Sequence, residues 1–144
     1  MKARSGFTLV EILIVVIILG ILAAIVIPQF SDASTQAREN SLRADLQTMR
    51  SQIELYKVQH NDNLPGAGGA TFVQAMTGQT DIAGAVGTDF GPYVLQIPAN
   101  PFNNLATVRE EGAAAGAGTE GWRFGTTSGL FEADDTGHTF ADGW

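Results

Sequence analysis

The chain has 144 residues, 44 % of them hydrophobic, a length that fits one domain. Eight Lys and Arg stand against fifteen Asp and Glu, which gives a net charge of −7 and a pI of about 4.6 and leaves no basic footprint for nucleic acid. Cysteine is absent, so a disulfide framework, a thiol nucleophile, an iron–sulfur cluster and a cysteine zinc site are all excluded.

The apolar residues are concentrated at one end. Residues 1–6 carry Lys2 and Arg4 and no acidic side chain, and residues 7–27 then hold a single charge, Glu11. From Ile12 onward to Ile27 nothing is polar except the backbone at Gly20. As a helix rising about 1.5 Å per residue, residues 7–27 reach roughly 31 Å, enough to span a bilayer. Many of them are β-branched and would favour a strand in water. In hydrocarbon a lone segment must satisfy its own N–H and C=O groups, and only a helix does so. The positive flank tends to stay cytoplasmic, which puts the remainder of the chain on the far side of the membrane. An ordinary secretory signal has its small-residue cleavage site after the apolar region. Here the small residue that stands out is Gly6, before it, and a cut between Gly6 and Phe7 would keep the apolar segment.

Glu11 is the most informative residue. A carboxylate in apolar surroundings costs several kcal/mol unless it is paired, so it marks a functional site. Two readings are open: Glu11 snorkels to the interface, or it pairs with a free amino group at Phe7 of the same chain or a neighbour.

Pro28 cannot donate a backbone hydrogen bond and deprives the Ala24 carbonyl of its helical partner. A continuous helix kinked at Pro28 is expected, the alternative being a break with Ser31 or Asp32 capping a second helix. Beyond it, Leu42, Leu46, Met49, Ile53 and Tyr56 recur at spacings of four and three, an apolar stripe along one helix face. Arg38, Glu39, Arg43, Asp45, Arg50, Glu54 and Lys57 lie opposite and read as a solvated face. A coiled coil is the rival use of the stripe, but a head domain follows to cover it. Asn61-Asp62-Asn63-Leu64-Pro65-Gly66 ends the helix by turn chemistry.

Residues 61–144 hold Arg109 and Arg123 against ten acidic residues. Without disulfides so small a head has a thin core, and burial of the stripe from the preceding helix is expected. Residues 71–78 read as a short helix closed by Gly78. Tyr93-Val94-Leu95-Gln96-Ile97 reads as a strand stopped by Pro98, and residues 121–124 and 129–132 as two strands joined by Gly125-Thr126-Thr127-Ser128. Together they predict a small antiparallel sheet.

The sequence Ser5-Gly6-Phe7-Thr8-Leu9-Val10-Glu11, followed by the apolar run to Pro28, resembles the signature of type IV pilins and type II secretion pseudopilins. The resemblance implies that a membrane aspartyl peptidase cuts between Gly6 and Phe7, that Phe7 is then N-methylated, and that Glu11 guides assembly. Loss of Lys2 and Arg4 would leave the mature subunit more acidic. Residues 91–102, Gly-Pro-Tyr-Val-Leu-Gln-Ile-Pro-Ala-Asn-Pro-Phe, are similar to a Gly-Tyr…Leu-Pro-x-Asp-Pro-Trp stretch of the major secretion pseudopilin, departing from it at Asn100 and Phe102. That family's Ser-x-Gly-x-Asp-Gly calcium-loop pattern is not present in the tail.

Other constellations are weaker. Gly116-Ala117-Gly118-Thr119-Glu120-Gly121 has the spacing of a dinucleotide loop, but a strand rather than a helix follows and Glu120 would repel a pyrophosphate. His60 and His138 lack a second ligand at useful spacing and read as surface residues. No serine sits in a nucleophile elbow, and an enzyme is not expected. Asp134, Asp135 and Asp142 could hold calcium with backbone carbonyls, or form a solvated acidic tail; no cofactor other than calcium is a candidate.

The expected architecture is α+β and pilin-like: a leader at residues 1–6, a transmembrane and filament-core helix at 7–30, an amphipathic helix at 31–60, and a head at 61–144 with a small antiparallel sheet. The resemblance implies a subunit of a type II secretion pseudopilus, anchored once in the inner membrane with its head in the periplasm. Its partners would be membrane lipid before assembly, other copies of itself, minor pseudopilins, a prepilin peptidase and an inner-membrane assembly platform. The alternatives are a type IV pilin for adhesion or motility, and a single-pass anchor whose head binds a ligand without polymerising.

Overall fold

The computed structural model describes residues 6–110, 118–135 and 137. Contacts divide the chain into two units, Met1–Ala37 and Arg38–Trp144. Helix α1 runs without interruption over Leu9–Gln59, 51 residues, and passes through Pro28. The continuous helix is therefore the one formed, and no second helix starts at Ser31 or Asp32.

In the second unit the stripe is the spine of the core. Leu42, Leu46, Met49, Ile53 and Tyr56 are all at most 1 % exposed and cluster with Phe72, Ala75, Met76, Ile97, Trp122, Phe124, Phe131 and Ala133. The helix ends as the turn residues require: Asn61 and Asp62 take positive φ of 52° and 63°, a conformation Asn and Asp tolerate better than most residues. Helix α2, Phe72–Thr77, starts at Thr71, whose hydroxyl accepts from Gln74 N while the Gln74 side chain accepts from Thr71 N, a reciprocal capping box. Its first residue donates its N–H to Glu110 Oε1 at 2.7 Å, and its Phe72 ring lies 4.3 Å from that of Phe124.

The sheet has three short strands in the order β1-β2-β3: Val108–Glu110, Trp122–Phe124 and Phe131–Ala133. Strands β2 and β3 are the expected antiparallel pair, with Phe124 opposite Phe131 and Arg123 opposite Glu132. The turn between them closes through Gly125 N to Leu130 O at 2.9 Å. Strand β1 joins β2 in parallel, so the sheet is mixed and not wholly antiparallel. The entrance to β2 is a close approach: a Cβ on Gly121 would collide with the Leu105 carbonyl.

Other expectations are corrected as well. Residues 93–97 form no strand; the N–H groups of Tyr93 and Val94 both donate to Met76 O at the end of α2, each at 3.0 Å. The segment is tied to a helix end instead of a neighbouring strand, and its Leu95 is 93 % exposed. His60 is not a surface residue but fully buried. Its ring stacks on Tyr56 at 3.7 Å; Nδ1 donates to Tyr56 O, and Nε2 lies 2.9 Å from Thr80 Oγ1. His138 lies outside the described residues. The polar face of α1 is also less uniform than expected, because Arg50 Nε donates to Phe131 O at 3.1 Å and fastens the helix to β3.

Five buried side chains at about 1.5–3 kcal/mol each contribute an amount comparable with the whole margin of about 5–15 kcal/mol that keeps a domain folded. A fragment comprising residues 31–144 is therefore expected to give a cooperative melt by circular dichroism, and one comprising 61–144 to give none. A second expectation concerns alkali. Burial pushes the Tyr56 hydroxyl above its ordinary value, with the charge of Asp81 adding to the effect, and burial does the same to Tyr93. A folded-state pKa raised above the unfolded value contributes stability that is complete below about pH 10 and is lost as pH rises through the folded value. The melting temperature of the 31–144 fragment should fall on that alkaline limb, and Tyr56→Phe should make the fall shallower.

Candidate functional site

The candidate site is the start of α1. Thr8 precedes the first helical residue, Leu9, and Glu11 occupies the third position. Thr8 N–H and Thr8 Oγ1 each donate to Glu11 Oε2 at 2.8 Å, and Glu11 N–H donates back to Thr8 Oγ1 at 3.2 Å. This is a second capping box. The first N–H groups of a helix have no intrahelical acceptor, and here the Glu11 carboxylate takes that of Thr8 and the Thr8 hydroxyl that of Glu11. The helix N-terminus also carries partial positive charge, which favours the Glu11 carboxylate there.

Sequence reasoning sought the partner of Glu11 at Phe7 and missed Thr8. The signal was present as Thr-x-x-Glu before an apolar run. Glu11 is thus half provided for by its own chain: Oε2 takes both Thr8 donors, and Oε1 has no hydrogen-bond partner among the described residues. Gly6 and Phe7 precede Thr8 in the chain, outside the helix. Phe7 is 83 % exposed, and the large apolar side chains from Leu9 to Ile27 are all exposed as well. Exposing so long an apolar helix to water is unfavourable, and an apolar patch of this size marks a surface that meets lipid or another protein. Helix α1 contains a stretch long and apolar enough to cross a membrane, which fits a single-pass membrane anchor.

The acidic tail is arranged differently. Asp134 Oδ1 pairs with Arg109 Nη2 at 2.6 Å, and Asp134 Oδ2 accepts from Glu120 N at 3.3 Å. Asp135 accepts from Asn100 Nδ2 at 3.1 Å and from Gly137 N at 3.1 Å. Both carboxylates are buried, so these two residues are not a solvated tail. Asp142 lies outside the described residues. Among the described residues no group of three or more His, Asp or Glu could hold a metal ion. The glycine-rich segment ending at Gly121 leads into strand β2 and not into a helix, which removes the dinucleotide-loop geometry.

Residues 1–27 match the family model described as the prokaryotic N-terminal methylation motif. The type II secretion system core protein G of Pseudomonas aeruginosa is 42 % identical over 57 residues, 40 % of each chain. The protein of the same name from Escherichia coli K12 is 29 % identical over 114 residues, covering 76 % of this chain and 77 % of that one. A fimbrial protein of Pseudomonas aeruginosa is 43 % identical over 54 residues, 38 % of this chain and 35 % of its own. The first of these matches spans about two-fifths of the relative's length. No solved structure matches the chain. The methylation motif and relatives of both names meet on a long helix capped by Thr8 and Glu11 and followed by a small α+β head, and together they support a place for the chain among proteins similar to type IV pilins and type II secretion pseudopilins.

Proposed function

We propose that the chain is the precursor of a structural subunit of a type II secretion pseudopilus, one that performs no chemistry and acts by polymerising. The observation that carries this reading is the exposed apolar stretch of α1 with one carboxylate at its capped end. In the membrane, lipid would cover residues 7–27, with residues 1–6 cytoplasmic and the head at 61–144 in the periplasm. A prepilin peptidase would cut between Gly6 and Phe7, and the new Phe7 amine would be N-methylated. The subunit would then leave the bilayer with the help of an assembly platform and join minor pseudopilins and its own kind in a helical filament. Apolar helix faces would there exchange lipid for one another. The growing polymer would push exported protein across the outer membrane.

Glu11 fits this sequence of events physically. Its Oε2 is held by Thr8, and among the described residues Oε1 has no hydrogen-bond partner. The amine of Phe7 on a neighbouring subunit is the right partner: pairing two charges as they enter an apolar bundle offsets their desolvation and fixes axial register. The second reading, a type IV pilin for adhesion or motility, draws on the fimbrial relative.

Mass analysis of the membrane-extracted protein should show a chain beginning at N-methyl-Phe7, and Gly6 replaced by a bulky residue should remain uncut. A chain retaining Met1, or cut after Ala24, would contradict the processing. Glu11→Gln separates the two jobs of the carboxylate, because Gln also completes a capping box but carries no charge. Glu11→Gln should insert and be cleaved normally yet yield no filaments by electron microscopy, whereas Thr8→Val should still assemble. Normal filaments from Glu11→Gln would refute the charge-pairing role.

A further inference from the structure

The strand registers put charge in a row. Arg109 on β1 lies beside Arg123 on β2, and Arg123 lies opposite Glu132 on β3. Registered neighbours project to the same face, so these three share the face opposite Trp122, Phe124 and Phe131. Arg123 Nη1 reaches Glu132 Oε2 at 2.9 Å, and Arg109 Nη2 reaches past the end of β3 to Asp134 Oδ1 at 2.6 Å. The pairs are largely withdrawn from water: the Asp134 and Glu132 side chains are 0 % and 3 % exposed, and the two arginines 20 % and 19 %.

The acidic residues of the tail point in sequence to a divalent cation, but the donor set does not fit one. Calcium takes six to eight oxygens at about 2.3–2.6 Å, carboxylates foremost. Each of the four carboxylate oxygens of Asp134 and Asp135 already accepts from a donor of the chain: Arg109, Glu120 N, Asn100 and Gly137 N. Asn100 is committed as well, its Nδ2 also donating to Gly121 O and its Oδ1 accepting from Phe102 N. A divalent ion at Asp134 would have to displace a guanidinium and would be repelled by it.

We infer that Arg109 is the resident cation of this segment, and that its guanidinium neutralises the carboxylate of Asp134 so that the head folds without calcium. Arginine suits the task because its charge is permanent and its planar fork bonds carboxylates at short range. The pair joins β1 to the chain just beyond β3, and Asp134 N–H in turn donates to Gly121 O at 3.1 Å. One contact thereby closes both edges of the sheet around β2. The inference does not depend on whether the chain forms filaments.

The test is thermal unfolding of the full chain in detergent micelles, followed by tryptophan fluorescence, with millimolar calcium chloride or with a chelator. The melting temperature of the unaltered chain should be the same in both. Arg109→Gln should lower it by roughly 5 °C or more, since it strands a buried carboxylate. Arg109→Gln with Asp134→Asn should recover much of the loss, because the stranded charge is gone. A rise with calcium or a fall with chelator in the unaltered chain would overturn the inference, as would Arg109→Gln melting with the unaltered chain. Should Arg109→Gln fail to fold, recovery in the double variant and the calcium comparison still decide.

Discussion

A carboxylate on an apolar helix needs hydrogen-bond donors wherever the helix goes, and Glu11 draws them first from its own chain. The capping box with Thr8 completes the open end of α1 and occupies one oxygen of the carboxylate with two short bonds. This lets a helix whose remaining surface to Ile27 is apolar begin inside or at the edge of hydrocarbon with the N–H groups of Thr8 and Glu11 provided for. Among the described residues it also leaves the other oxygen without a partner. A subunit that satisfied Glu11 completely would have no polar reason to prefer one register against its neighbours; one that left it wholly unsatisfied would be costly to insert. The half-satisfied state lies between these limits, and the proposed filament completes it with the Phe7 amine.

Farther along, the same helix meets a different constraint. From Leu42 to Tyr56 its apolar stripe is buried by the head, which explains how an acidic segment with three-residue strands holds a fold. The strands contribute few backbone bonds, so the order of the head rests on side chains: aromatic contacts of Phe72, Phe124, Phe131 and Trp122 on one sheet face and ion pairs on the other. The bond from Arg50 to Phe131 O and that from Phe72 N–H to Glu110 tie the two helices to opposite edges of the sheet.

What could be read from the sequence followed from periodicity and from turn chemistry. The stripe on α1, the short helix closed by Gly78, and the β2–β3 pair all have local signatures, and all appear. Strand β1 has none: Val108-Arg109-Glu110 holds two charges in three residues, and it becomes a strand only because β2 offers a parallel edge and Asp134 takes the guanidinium. Residues 93–97 misled in the opposite direction, since a good strand composition was overridden by hydrogen bonds to the end of α2. The burial of His60 was hidden as well, because its partners Tyr56 and Thr80 lie on either side of a loop whose path no local pattern reveals. At the N-terminal site the residue types were legible, yet the hydroxyl that shares Glu11 was overlooked in favour of a charge.

Cryo-electron microscopy of filaments grown from this chain tests the central claim most directly, at the level of one distance. The Phe7 amine of one subunit is expected within hydrogen-bond reach of Glu11 on a neighbour, with Thr8 still capping the same carboxylate. Filaments in which Glu11 contacts only Thr8 of its own chain, with every Phe7 amine paired elsewhere, would contradict it.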